Sequence, residues 1–256
     1  HINAHETGAL ESVGHKCLAL PTSNGKITAK QVDTLIQNHY NDINAEHTVQ
    51  PGIVYISFPT ESGTLYSKQE LTELYTVCQN HNIPLFIDGA RLGYGLMAKK
   101  NDVTFEDIAN LCDVFYIGGT KVGALFGECI VILNDLYKKD FRYAIKQHGG
   151  MLAKGRMLGI QFEELFKDNR YLTISKHAID MADILTEGFQ SKGYRFYFPA
   201  ETNQIFPIFE NTKLEELSKE FAFTPWAKVD ETHTAVRFVT SFATKRENVE
   251  YLLTKI

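Results

Sequence analysis

The chain has 256 residues, 44% of them hydrophobic, which is enough to bury a sizeable core in one large domain or one and a half. Its 26 basic and 31 acidic residues leave a net charge of −5 with the basic ones dispersed, which ranks nucleic-acid binding low, and no apolar run approaches the length of a membrane span. Cys17, Cys78, Cys112 and Cys129 show no CxxC spacing, so they read as free thiols of a reducing cytoplasm rather than a disulfide framework, and no metal is expected.

The first stretch, HINAHETGALESVG, mixes histidine, glutamate and glycine in a way that suits a loop leading into a short helix at a site. It reads like the middle of a domain, so further polypeptide is expected upstream of His1. Lys16–Leu20 reads as a brief strand and Asn24-Gly25 as a turn. Thr28 and Gln31 form a capping-box signal that opens a helix through about Asn38. The β-branched run from Gly52 to Ser57 predicts a strong strand, ending in the loop Phe58-Pro59-Thr60-Glu61-Ser62-Gly63. Ser67 and Glu70 form a second capping box, and Leu71, Leu74, Tyr75 and Cys78 recur at helical spacing behind it.

Two short apolar runs follow, each closed by glycine and a chemically useful side chain. Leu85-Phe86-Ile87 ends in Asp88-Gly89, and Val114-Phe115-Tyr116-Ile117 ends in Gly118-Gly119-Thr120-Lys121, with a helix predicted between them from about Phe105 to Leu111. Cys129–Leu133 reads as a further strand. Alternation of strand and helix argues for an α/β fold with a mainly parallel sheet, in which ligands gather at the carboxyl ends of the strands. The acid Asp88 and the amine Lys121 are therefore both delivered to that edge.

Composition shifts to small and basic residues at His148–Arg156, and a long helical pattern then runs to about Phe189. The domain change is placed here, giving a large domain over 1–148 and a linking helix plus a small C-terminal αβ domain over 149–256. In the latter, 194–198, 204–209 and 235–241 read as strands, with helices near 212–220 and 246–255. Alternation in Val236-Arg237-Phe238-Val239 puts Arg237 on its own face of a strand.

FIDGARLGYGL followed by DVFYIGGTKVGALFGE resembles the threonine aldolase branch of the β-eliminating lyases, and the likeness runs from His1 to Ile256. The Asp-Gly-Ala-Arg and Thr-Lys motifs are fairly specific in combination. The resemblance implies the aspartate aminotransferase type of fold (fold type I) and pyridoxal 5'-phosphate as cofactor. Such a cofactor needs a lysine for its aldehyde and a carboxylate for its ring nitrogen.

By the same resemblance Lys121 is the catalytic, cofactor-bearing lysine and Asp88 the partner of the ring nitrogen. Arg91 stands near the ring hydroxyl and the substrate carboxylate, Thr120 offers its hydroxyl to the phosphate, and His1 stacks on the ring. Arg237 and Arg156 meet the carboxylate of an amino-acid substrate, which guanidinium matches with two parallel hydrogen bonds, and Glu61 joins them in the substrate pocket. The segment that grips the phosphate in the family is expected upstream of this sequence. The implied reaction is cleavage of the Cα–Cβ bond of a β-hydroxy amino acid, threonine or allo-threonine giving glycine and acetaldehyde. His1, His5, Glu61 and a positioned water all stay open as the base.

A homodimer or homotetramer in the cytoplasm is implied, acting on a small amino-acid substrate without nucleic acid or membrane. The nearest rivals are β-elimination or transamination on the same cofactor, then a non-catalytic relative. A nucleotide-binding reading finds neither GxxxxGK[ST] nor a GxGxxG after a strand.

Overall fold

The structure is a computed structural model that describes residues 1–256. The chain begins with a short helix α1 (Ala9–Ser12) and reaches α2 (Ala29–Asn41), where both hydrogen bonds of the Thr28/Gln31 capping box are made. Those bonds satisfy backbone donors that a helix start leaves orphaned. Val32 and Ile36, one helical turn apart, are the residues that α2 buries. Strand β1 (Val54–Ser57) follows, then α3 (Lys68–Asn80), opened by the Ser67/Glu70 capping box and burying Leu71, Leu74 and Cys78 on one stripe. Each fully buried aliphatic side chain of this kind contributes roughly 1.5–3 kcal/mol.

Strand β2 (Leu85–Asp88), the short helices α4 (Leu92–Met97) and α5 (Phe105–Asn110), and strands β3 (Val114–Ile117) and β4 (Cys129–Ile132) complete the first unit. The sheet order is β1-β2-β3-β4, with β1, β2 and β3 parallel and β4 antiparallel to β3. Val54, Ile56, Leu85, Ile87, Phe115 and Ile117 are buried on one face, while Tyr55, Phe86 and Tyr116 on the other are half-exposed. Asp88 shares the second face at the carboxyl edge, where register places it between Ser57 and the end of β3.

After α6 (Phe141–Gln147) come α7 (Arg156–Phe166) and α8 (Arg170–Ser191). The single long helix predicted from Arg156 is broken by Asp168 (φ 52°) and Asn169 (φ 56°), two short polar residues of the kind that tolerate left-handed backbone. Helix α8 bridges two apolar cores. Tyr171, Ala178 and Ile179 join the core of the first sheet, and Met181, Leu185 and Phe189 join that of the second.

The second sheet gathers β5 (Gln204–Ile205), β6 (Ile208–Glu210) and β7 (Thr224–Lys228) on the long strand β8 (His233–Val239), with α9 (Asn211–Leu217) and α10 (Arg246–Lys255) alongside. The strand expected over 204–209 is interrupted at Pro207, which has no N–H to donate. The strand expected over 194–198 is reduced to one bridge, Phe196 to Pro207. Lys16–Leu20 forms no strand, because no other strand lies alongside to take up its hydrogen bonds. No helix is long and apolar enough to cross a membrane.

Candidate active site

Three loops at the carboxyl edge of β1, β2 and β3 meet a fourth element, β8, from the second sheet. The loop after β2 and the loop after β3 touch through backbone, Gly118 N–H donating to the Gly89 carbonyl at 2.8 Å. Neither glycine tolerates a side chain. A Cβ on Gly89 would lie 2.0 Å from the Tyr116 carbonyl oxygen, and one on Gly118 2.2 Å from that of Ala90. Helix α8 ties the loop after β3 to α4, since the Tyr171 hydroxyl donates to the Gly118 carbonyl at 3.0 Å and accepts from Gly93 N–H at 3.2 Å.

Asp88 is buried, 7% exposed, and fixed by three contacts. Its Oδ1 accepts from Ala90 N–H at 2.9 Å, its Oδ2 accepts from the Tyr55 hydroxyl in a short hydrogen bond, and its backbone carbonyl accepts from Phe58 N–H at 2.8 Å. Burial first, and then the Asp88 carboxylate, hold the phenols of Tyr55 and Tyr116 protonated well above their ordinary range. A carboxylate so anchored presents a fixed negative charge to the space above the sheet.

Lys121 leads out of the loop after β3 with no hydrogen bond or ion pair at its amine. The side chain is accessible to solvent, yet protein surrounds it closely enough for desolvation to be the largest influence on its proton affinity. Desolvation and then the Arg91 charge push its pKa down, opposed by Asp88, Glu128 and Glu61. Its carbonyl is held by a short hydrogen bond from the Tyr94 hydroxyl, whose own pKa burial pushes up to about 12. Directly before it, Thr120 Oγ1 donates to Glu128 Oε1 at 2.7 Å, and Gly119 N–H donates to Oε2 of the same carboxylate. The one hydroxyl proton of Thr120 is therefore already engaged.

Arg91, at the start of α4, and Arg237, on β8, are brought together from the two sheets. Burial first, then repulsion from Arg237, lowers the Arg91 pKa. Arg237 Nη1 donates to Gln204 Oε1 at 3.3 Å, its guanidinium lies 5.6 Å from the Trp226 ring centre, and its buried Nε has no partner. No carboxylate pairs with either guanidinium. Two half-buried cations with no carboxylate paired to either are costly to hold together, and an arriving carboxylate relieves that cost.

Glu61 belongs to the loop after β1, which Thr60 and Thr64 close through a 2.7 Å hydroxyl contact and Thr202 fastens to the second sheet through the Gly63 carbonyl at 3.0 Å. Its charge reaches Arg91 and Lys121. His1 is close by, its backbone nitrogen 2.5 Å from Glu61 Oε1 and its ring Nδ1 2.5 Å from Glu6 Oε1. The His5 ring centre is 5.2 Å from that of His1. Arg156 belongs to α7, the helix that packs on the loop after β3. It is exposed at the start of α7 and makes no hydrogen bond or ion pair.

A cavity of about 1170 Å³ runs along β1 and meets this cluster at His1, Tyr55, Glu61 and Trp226. Charge convergence rather than cavity size locates the site, since Asp88, Arg91, Lys121 and Arg237 do not line that cavity. Sequence reasoning missed Tyr55, Tyr94, Tyr171, Trp226 and Glu128. Only Glu128 carried a signal, a charged residue in register opposite the loop that holds Lys121.

An amine and an acid for the cofactor's aldehyde and ring nitrogen are thus both present, and the unpaired Arg237 Nε supplies a site for a carboxylate. That donor set fits the reacting end of pyridoxal phosphate.

Comparison with known proteins gives a consistent result. The sequence matches the beta-eliminating lyase family over residues 1–212. It is 31% identical over 223 residues to a low specificity L-threonine aldolase of a Pseudomonas species, a match covering 85% of this chain and 62% of that protein. Among solved structures, a Leishmania major threonine aldolase superposes with a TM-score of 0.95 at 43% identity, over 99% of this chain and 73% of that one. A Thermus thermophilus aspartate aminotransferase, 15% identical, superposes with a TM-score of 0.61 over 90% and 59% of the two chains. The fold is accordingly α/β of the aspartate aminotransferase type, and the chain spans about three fifths of the length of the Pseudomonas relative.

Proposed function

The chain belongs to the beta-eliminating lyase family, and on that premise we propose that it serves a pyridoxal-phosphate-dependent lyase cleaving the Cα–Cβ bond of a β-hydroxy amino acid, threonine or allo-threonine giving glycine and acetaldehyde. The observation that carries the reading is the convergence of an unpaired lysine amine, an anchored buried carboxylate and two guanidiniums that lack an anion.

Pyridoxal phosphate, when bound, supplies an aldehyde that condenses with amines and a protonated ring that draws off the electron pair of a breaking bond. Lys121 would hold it through that aldehyde, and its depressed proton affinity keeps more of the amine in the nucleophilic form. Asp88 would hold the proton at the ring nitrogen, with Ala90 N–H and the Tyr55 hydroxyl keeping the carboxylate in place. Arg237 and Arg91 would bind and orient the substrate carboxylate, so that the bond to be broken is fixed relative to the ring. Glu61 and His1, side by side on the rim, are with His5 and a positioned water the groups proposed to take the proton of the β-hydroxyl. Gly119 and Thr120 already face Glu128, so they do not offer free donors to a phosphate.

In this reading residues 1–148 carry the cofactor and 149–256 bring Arg237 to it. A homodimer or homotetramer is proposed with it. The four free cysteines support a cytoplasmic location.

Incubation of the cofactor-loaded full chain with threonine and allo-threonine tests the proposal. Glycine and acetaldehyde in equal amounts are expected, whereas a keto acid with free ammonia would replace the aldolase reading by β-elimination, and a keto acid without free ammonia by transamination.

A further inference from the structure

The loop that presents Lys121 is gripped by a carboxylate that no sequence motif singled out. Glu128 precedes β4, and the antiparallel register that pairs Ile117 with Cys129 sets it opposite Gly118. Its two oxygens are used separately. Oε2 accepts from Gly119 N–H and Oε1 from the Thr120 hydroxyl at 2.7 Å, so one planar group spans the two residues before Lys121. The approach is close on every side. A Cβ on Gly119 would lie 2.5 Å from the Gly127 carbonyl oxygen and 2.8 Å from Phe162, and one on Gly127, where φ is +85°, 2.2 Å from Leu158. Helix α7, which supplies Leu158 and Phe162, therefore presses the two loops together, and Gln161 of the same helix binds Leu125 N–H at 2.7 Å.

We propose that Glu128 is a positioning residue for Lys121, fixing the direction of its side chain through Gly119 and Thr120 and setting the charge of its surroundings. The inference rests on the lyase reading for the use to which Lys121 is put, but the clamp itself is a property of this chain. Lys121 is held on both sides, by Glu128 before it and by Tyr94 at its carbonyl. A free loop of glycines and threonine would let the amine sample many directions, and a bidentate carboxylate removes most of them.

Charge acts alongside geometry. The groups that bear on Lys121 are Arg91 from the start of α4, Asp88 from the end of β2, Glu61 from the loop after β1, and Glu128. Arg91 disfavours the ammonium and the three carboxylates favour it, which leaves Glu128 as a counterweight that keeps the proton affinity from falling further. Tyr116 and Tyr171, the other titratable groups under its influence, stay protonated and so do not compete with it.

The test compares wild type, Glu128→Gln and Glu128→Ala in the full chain. The Lys121 amine is titrated in the cofactor-free protein by carbon-13 reductive methylation and NMR, and cofactor dissociation is followed separately by absorbance after dilution. Glutamine keeps the shape and one acceptor but not the charge, so the Lys121 titration is expected to move down by at least about half a unit. With alanine the amine resonance is expected to broaden or split, and pyridoxal phosphate is expected to dissociate at least about tenfold faster. An unchanged titration and dissociation rate in both variants, with both folded by circular dichroism, would overturn the proposal. If wild type binds no cofactor but the titration still moves, the lyase reading fails and the clamp stands.

Discussion

Tyr55 donates its hydroxyl proton to Asp88 across the β1–β2 pair, from two rows further down the same face of the sheet. The ring lies flat on Phe86, with centroids 5.1 Å apart and planes within 5°. The orientation of the acid is thus built into strand register, and the rest of the site is placed by contacts of the same backbone-dictated kind.

The pair of glycines that join the loops of Asp88 and Lys121 leaves no room for a methyl group. Gly118→Ala would drive its Cβ to within 2.2 Å of the Ala90 carbonyl oxygen, which is backbone and cannot turn aside. A loss of about 1–3 kcal/mol or more is expected from overpacking of this sort. Urea unfolding monitored by circular dichroism measures it, and an unchanged midpoint would show that the loops part easily.

Lys121→Met should raise stability at neutral pH. The folded state holds the Lys121 proton less tightly than the unfolded chain, whose amine has the ordinary value of 10.5. Protonated lysine therefore costs stability below the lowered folded pKa, and that cost falls away as pH rises toward 10.5. Thermal melts of the cofactor-free protein at pH 7 and near pH 10 should show a gain for the variant that shrinks with rising pH. A gain that grew instead would reverse the assigned direction.

Arg237 should act on substrate binding more than on the fold. Its partner is a neutral amide and its Nε is unpaired, so Arg237→Lys removes a fork that fits a carboxylate without breaking an ion pair. KM for threonine is expected to rise roughly tenfold or more, the size of one charge-assisted hydrogen bond, with a smaller fall in kcat. Steady-state kinetics with similar KM for both proteins would remove Arg237 from the carboxylate site.

Thiol reactivity should divide the four cysteines in two. Cys78 and Cys112 are 0% and 2% exposed, and burial pushes both thiols up to about 12. Cys17 and Cys129 are only partly covered. Under native conditions a chromogenic disulfide reagent should modify Cys17 and Cys129 first, with Cys78 and Cys112 following only on unfolding. Mass spectrometry finding early modification of Cys78 would contradict the packing of α3.

Much of the first sheet was legible in the sequence because its signals are local. A β-branched run marked β1, apolar runs closed by glycine marked β2 and β3, and side chains three residues apart marked the caps of α2 and α3. Asp88 and Lys121 were found because each ends such a run. Failures came where the deciding partner is distant. Lys16–Leu20 has strand-like composition and no strand beside it, while β7 went unseen because Pro225 argues against a strand and only pairing with β8 makes one. The meeting of Arg91 with Arg237, and the grip of Glu128 on Thr120, depend on packing between elements and leave no periodic trace.

The proposed lyase activity depends on Lys121 binding an aldehyde. The direct measurement is the absorption spectrum between about 300 and 500 nm of the full chain with pyridoxal phosphate, before and after borohydride, beside Lys121→Ala. A band that borohydride abolishes and the variant lacks is the predicted result, with the cofactor found on the Lys121 peptide after digestion. A folded wild-type chain showing no such band, or a variant that retains it, would contradict the assignment of both cofactor and lysine.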